Sequence, residues 1–231
     1  MKKIIPTIGM IACFIVAIFF GRKAWNLHVE YQKADHEYQK IKKMKKKKER
    51  SIDFERLHKI NPDIVAWIEV PGTNIDYPVV QGKNNEEYMH HTFRKNYNFA
   101  GCIFLDSHCH QDFSSDNSVI YGHHMRNGTM FAQLVKFRED SFVKKHRRII
   151  LYLPGETRKL NVVSAYAGPA TSVPIDFGNQ KDQQRFYQRI LAKSTIPIRK
   201  IKKHLYTFVT CSYERNGNRT YVYATEDFSH M

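Results

Sequence analysis

Cysteine is scarce: four occur in 231 residues, at Cys13, Cys102, Cys109 and Cys211. A structural zinc site wants closely spaced ligand pairs twice over. The cluster Cys102, His108, Cys109 and His110 offers only one such half, so no metal and no cofactor is read. A Cys102–Cys109 disulfide stays open for a protein outside the cytoplasm. Acidic residues are also short, 22 against 37 Lys and Arg, for a formal charge of +15. The imbalance is local, because residues 1–50 hold 13 Lys and Arg against 4 Asp and Glu. That basic run has no interleaved aromatics and no recognition motif beside it, which argues against a nucleic-acid partner. It reads instead as a solvated spacer, or as a surface for anionic lipid or wall polymer.

Two further absences shape the N-terminus. The apolar run from Ile4 to Phe20 lacks a small-x-small cleavage site at its end, where Phe19-Phe20-Gly21-Arg22-Lys23 stands. A cleaved leader is thereby disfavoured against an uncleaved membrane anchor over residues 1–25, with Trp25 at the interface. Lys2 and Lys3 nearly balance Arg22, Lys23 and Lys33, so charge alone leaves the orientation tied. Residues 26–50 contain neither Pro nor Gly and read as a basic, helical or frayed stalk.

The remaining residues, 51–231, hold enough apolar material for one core. Ser51 is placed to cap a short helix through Phe54, Leu57 and Ile60, ended by Asn61-Pro62. Ala66–Val70 and Ile75–Val80 read as strands around the turn Pro71–Asn74, and Asn84–His91 as a helical turn. Strands follow over Gly101–Asp106, Ser118–Gly122, Ile149–Leu153 and Leu160–Ala167. Met130–Val143 has mixed helical character, and Gln180–Lys193 is a clear helix. With Leu205–Cys211 and Thr220–Ala224 the total is about eight short strands, a mainly β chain forming a barrel or sandwich with helical insertions.

The last two strands form a hairpin around a turn at Asn216-Gly217, with Cys211 at the end of one strand and Arg219 at the start of the other. A buried core cysteine is the plain reading of such a position. A thiolate near a guanidinium is the reactive one. His123 ends another strand, and a His–Cys pair from separate strands is one way to build a thiol nucleophile. Arg215 is an alternative to Arg219, and His124 to His123.

Tyr121-Gly122-His123-His124-Met125, with Gly128–Phe131 behind it, and Thr207–Cys211 followed by Arg219 resemble the histidine, TLxTC-type and arginine signatures of sortases. Phe208 and Val209 replace a more usual Leu and small polar residue. Ala66-Trp67-Ile68, Tyr77–Gly82 and the helix before the last strand pair are similar to class B in particular. The resemblance covers roughly residues 52–225 in matching order. It implies an eight-stranded sortase barrel on a single-pass anchor, amino terminus inside and catalytic domain extracellular. The implied activity is a cysteine transpeptidase acting on secreted proteins with an LPxTG- or NPxTN-like sorting signal. Cleavage after Thr would pass through a thioacyl enzyme to an amine of a peptidoglycan precursor. Cys211 would attack, His123 move protons and Arg219 hold the oxyanion, while Asn85, Met89 and Thr210 match positions lining the signal groove. Two other functions fit the same residues: a pilin polymerase using a protein lysine as acceptor, and a catalytically silent membrane-tethered binding module.

Overall fold

The computed structural model describes residues 4–46, 51–197, 201, 204–212 and 217–226. Arg215, with Tyr213, Glu214 and Asn216, lies outside the described residues, as does the end of the basic run at Lys47–Arg50. The chain opens with one helix, α1 (Ile4–Lys42), and a two-residue ladder, β1 (Lys45–Lys46) with β2 (Ser51–Ile52). Helix α2 (Phe54–Ile60) follows, and its cap is Asp53, not Ser51. Ser51 is occupied in β2, whereas the Asp53 carboxylate accepts from Arg56 N at 3.0 Å, a bond that stabilises a helix start by about 1 kcal/mol.

Eight strands then close a barrel: β3 (Ile64–Glu69), β4 (Asp76–Val80), β5 (Ile103–Leu105), β6 (Asn117–Tyr121), β7 (Arg148–Leu153), β8 (Glu156–Pro169), β9 (Leu205–Cys211) and β10 (Asn218–Glu226). Around the barrel the order is β10-β8-β7-β3-β4-β5-β6-β9, antiparallel except for the β4–β5 and β6–β9 pairs. Closure removes the exposed edges that an open sheet of this size would have to protect. Strands β3, β9 and β10 are buried along nearly their whole lengths, so their apolar runs are near-continuous and do not alternate cleanly.

Trp67, Tyr88, Phe93, Phe131, Phe137 and Phe208 are among the large fully buried side chains. The Trp67 indole is satisfied by Asp76 Oδ1 at 2.7 Å, as a buried N–H requires. A 3-10 segment (Ala132–Arg138) and α3 (Asp140–His146) cross between β6 and β7. Helix α4 (Gln180–Ala192) buries Phe186 and Ile190, and Ser164 Oγ on β8 donates to Ile190 O at 2.8 Å. It starts at Asn179, whose side chain accepts from Asp182 N.

Helix α1 has two environments. Met10, Phe14, Phe19 and Phe20 are exposed, and this is a helix long and apolar enough to cross a membrane. The segment read as a stalk continues the same helix to Lys42, and its inner face is packed: Ala34, Tyr38 and Ile41 are buried in the same core as the barrel.

Gly122, directly after β6, shows how tightly the chain passes the core. A Cβ there would lie 2.4 Å from Ile103 Cδ1 and 2.8 Å from Phe131 Cδ2, and Phe131 is fully buried. Gly122→Ala is therefore expected to lower unfolding stability by about 1–3 kcal/mol, the usual cost of overpacking, as measured by denaturant titration.

Candidate active site

Strands β6 and β9 run parallel, with Tyr121 opposite Val209, and Gly122 N extends the pairing by donating to Val209 O at 3.1 Å. Two residues beyond Tyr121 comes His123, and two beyond Val209 comes Cys211. On the other side of β9, antiparallel β10 sets Arg219 directly opposite Cys211. The three residues thus start from one transverse row over β6, β9 and β10. With strands about 4.8 Å apart, their backbones fall within about 10 Å of one another.

His123, Cys211 and Arg219 line one small cavity of about 60 Å³, together with Met89, Phe104, Tyr121, Gly122, Val209 and Thr210. Phe104 and Tyr121 stand side by side at 5.4 Å between ring centres and make the wall largely apolar.

The His123 ring is held from outside the barrel. Its Nε2 lies 2.7 Å from Met89 O. A carbonyl only accepts, so Nε2 carries the proton and a neutral ring leaves Nδ1 as its free base. His90 stacks on it at 6.1 Å and 27°. Burial lowers the His123 pKa, with the positive charges of His90 and Arg219 acting in the same direction; the Met89 hydrogen bond opposes them. The imidazolium is therefore a stronger acid than an ordinary histidine.

His124 does a different job. Its Nδ1 lies 3.0 Å from Cys211 O, and its backbone bridges to Met130, so it braces the end of β9. Met130 N in turn donates to Tyr77 OH at 3.1 Å. Arg219 Nη1 donates to Asn218 O at 3.2 Å, which engages one of its five N–H donors.

Met89 sits on a 3-10 turn (Glu87–Met89) and is 39% exposed at the cavity rim. The adjacent Tyr88 fixes that turn, donating to Asp63 Oδ2 at 2.6 Å and accepting from Asn61 Nδ2 at 2.8 Å. Thr210 lines the cavity, but its Oγ1 is buried without a hydrogen-bond partner, as is that of Thr220 opposite. Asn85 is not in this wall. Its Nδ2 donates to Asp106 Oδ2 at 2.9 Å and its Oδ1 accepts from Ser107 N at 2.8 Å, pinning the loop that leads to Met89.

The sequence reading missed His90, the Met89 carbonyl and the apolar pair Phe104 and Tyr121. His90 was one of twelve histidines without a motif of its own, and a backbone carbonyl has no sequence signature. Cys102 and Cys109 are free thiols in the core, each pushed up to about 12, chiefly by burial. Among the described residues no group of three or more His, Cys, Asp or Glu is arranged to hold a metal ion.

The Sortase domain family model matches residues 68–227, which includes all three residues of the row. The chain belongs to the sortase family. Sortase B of Staphylococcus aureus is 32% identical, over 97% of both chains. The solved structure of Clostridium perfringens sortase B superposes with a TM-score of 0.72 at 36% identity, covering 76% of this chain and all of that one. A sortase B–substrate complex from S. aureus gives 0.78 at 31% identity, covering 87% and 100%. The chain is thus a class B sortase, a transpeptidase built on the closed eight-stranded barrel.

The contacts of His123 make its titration testable. Removing the like charge beside it in His90→Gln is expected to raise the His123 pKa, followed by NMR titration of the imidazole; an unchanged or lower value would contradict the assigned cause.

Proposed function

We propose that this sortase joins secreted proteins to a cell-wall amine by a thioacyl mechanism in which Cys211 is the nucleophile, His123 the proton carrier and Arg219 the oxyanion donor. The supporting observation is the single row, bridging three strands, that brings them around one cavity.

Each step uses a feature of that geometry. The Cys211 thiolate attacks the carbonyl carbon of the Thr in an LPxTG- or NPxTN-like signal, and the carbonyl electrons move onto oxygen. Arg219, on a strand directly opposite, donates to that oxygen; its fork stays charged and directional where a lysine ammonium would swing. The His123 imidazolium gives its Nδ1 proton to the leaving amine as the C–N bond breaks, leaving a thioester and a neutral ring. An incoming amine then attacks the thioester. Neutral Nδ1 takes its proton, and Cys211 leaves as thiolate. The Met89 carbonyl holds Nε2–H throughout, so one nitrogen serves both transfers.

The apolar wall of Phe104 and Tyr121 keeps water from competing for the thioester. Met89 and Thr210 form the near wall for the signal peptide, and Asn85 acts one layer back by holding the loop. The substrate complex of the S. aureus relative supports a sorting-signal protein as the substrate class. The exposed apolar half of α1 supports a single-pass anchor, and the barrel is taken to lie outside the cell, where secreted substrates are. The acceptor is taken to be an amine of a peptidoglycan precursor.

Sorting-peptide cleavage by Cys211→Ala should fall to background, with no acyl adduct by mass spectrometry; persisting cleavage would overturn the mechanism. Arg219→Lys should cost about a hundredfold or more in kcat, as loss of an oxyanion donor does. With a wall-type amine and a lysine-bearing pilin-like peptide offered together, the wall-type product should dominate; the reverse would assign a polymerase.

A further inference from the structure

The packed end of α1 reaches further than the core. Four of its residues, Glu30, Tyr31, Glu37 and Tyr38, tie it to the chain between Arg94 and Gly101. Asn98 Nδ2 donates to Glu30 O at 3.1 Å and Glu30 Oε2 at 3.0 Å, and the Tyr31 ring meets Phe99 edge-on at 4.9 Å. Glu37 accepts from Arg94 N at 3.0 Å and Asn96 Nδ2 at 3.3 Å. Tyr38 OH, buried, donates to Gly101 O at 2.5 Å.

The gripped segment lies directly behind the residue that holds His123. Asn98 N donates to His90 O at 2.8 Å and Cys102 N to Tyr88 O at 3.0 Å, bracketing Met89. Gly101 has a φ of +57°, and a Cβ on it would lie 2.6 Å from both Met89 O and Tyr88 O. Tyr38 therefore holds a residue whose backbone lies against the Met89 carbonyl. A second route leads from the same tyrosine toward Cys211. Its ring meets Tyr77 edge-on at 5.4 Å, and Lys42 Nζ lies 4.4 Å over the Tyr77 ring. Tyr77 OH accepts from Met130 N, Met130 bridges His124, and His124 holds Cys211 O.

We propose that residues 30–42, the end of α1 that follows the apolar span, are a positioning element of the active site. Through Tyr38 and Glu37 they set the Met89 carbonyl and hence the orientation of the His123 ring. The inference rests on the acid–base role given to His123 above. It makes the seating of the anchor helix on the barrel a condition for turnover, so that a helix displaced by the membrane would leave the barrel folded and the site misaligned.

The test uses the full chain in detergent micelles with a fluorogenic sorting peptide. Tyr38→Phe keeps the ring and removes the hydroxyl, and with it the bond to Gly101 O and the contacts with Cys102 and the Phe93 backbone. It should lower kcat about fivefold, the effect of one hydrogen bond, with KM within about twofold. The titratable and charged groups facing His123 are His90, Tyr121, Cys211 and Arg219, and none of them changes. Since the Met89 bond raises the His123 pKa, a looser carbonyl should also move the lower-pH limb of kcat/KM to lower pH. Glu37→Ala should act in the same direction, and Glu37→Gln, which keeps an acceptor, should restore activity.

Unchanged kcat and limb in Tyr38→Phe and Glu37→Ala would overturn the inference. So would losses that follow a fall in Tm with the limb unmoved, since that pattern belongs to a merely structural contact. His123→Ala separates the two claims: if it abolishes turnover while the α1 variants are silent, only the positioning role falls. If it retains turnover, the acid–base role falls and the positioning role with it.

Discussion

The parallel pairing of β6 with β9 is the constraint from which the rest of the site follows. His123 and Cys211 are far apart in the chain and carry no interaction that would bring them together in an open polypeptide. Register does so: Tyr121 opposite Val209 sets the next residues of both strands at the same height, and the Gly122 bond to Val209 O carries that register one residue past the strand. A parallel pair cannot be closed by a tight turn and needs a long crossover. The chain between them supplies it, passing through α3, β7, β8 and α4 before β9 begins. Slipping the register by one residue would turn every side chain to the opposite face, and the burial of Phe208 and Ile120 opposes such a slip.

A barrel end alone would leave the three side chains with several rotamers each. What narrows them is support from elements that are not part of the row. Met89 O takes the His123 Nε2 proton, His124 holds the Cys211 carbonyl, and Arg219 is anchored by its strand and by Asn218 O. Catalytic groups held by a second layer need less reorganisation during reaction. Here that layer is drawn from the 3-10 turn at Glu87–Met89, the loop after His123 and the end of α1. Tyr38, Asn98 and Tyr88, buried polar side chains of that layer, each find a partner, as most groups removed from water do.

Much of the fold could be read from residue pattern. Leu205–Cys211 was bounded as the structure has it, because a run of aromatic and β-branched residues ending at a polar loop has few other solutions. The helix at Gln180 and the strand at Asn117 differ from the sequence pattern by one residue at their ends, where hydrogen bonding and not residue type settles the boundary. Ser51 failed as a cap because Asp53 lies closer to the first free N–H groups and Ser51 is taken by a strand. Residues 26–50 read as a stalk from their charge, since an inner stripe of only Ala34, Tyr38 and Ile41 is thin beside so many polar positions.

By itself the sequence determined the chemistry on offer: a cysteine and an arginine at one end of a hairpin, a histidine after a glycine that closes a strand, and an apolar helix ahead of them. Residue types and short spacings carry that information because strand period, turn propensity and side-chain chemistry are local properties. Tertiary structure alone decided how the His123 ring and the thiol come to line one cavity, which ring nitrogen is free, and what holds the ring. Those depend on a register between distant strands and on a backbone carbonyl, and neither leaves a mark in the order of side chains.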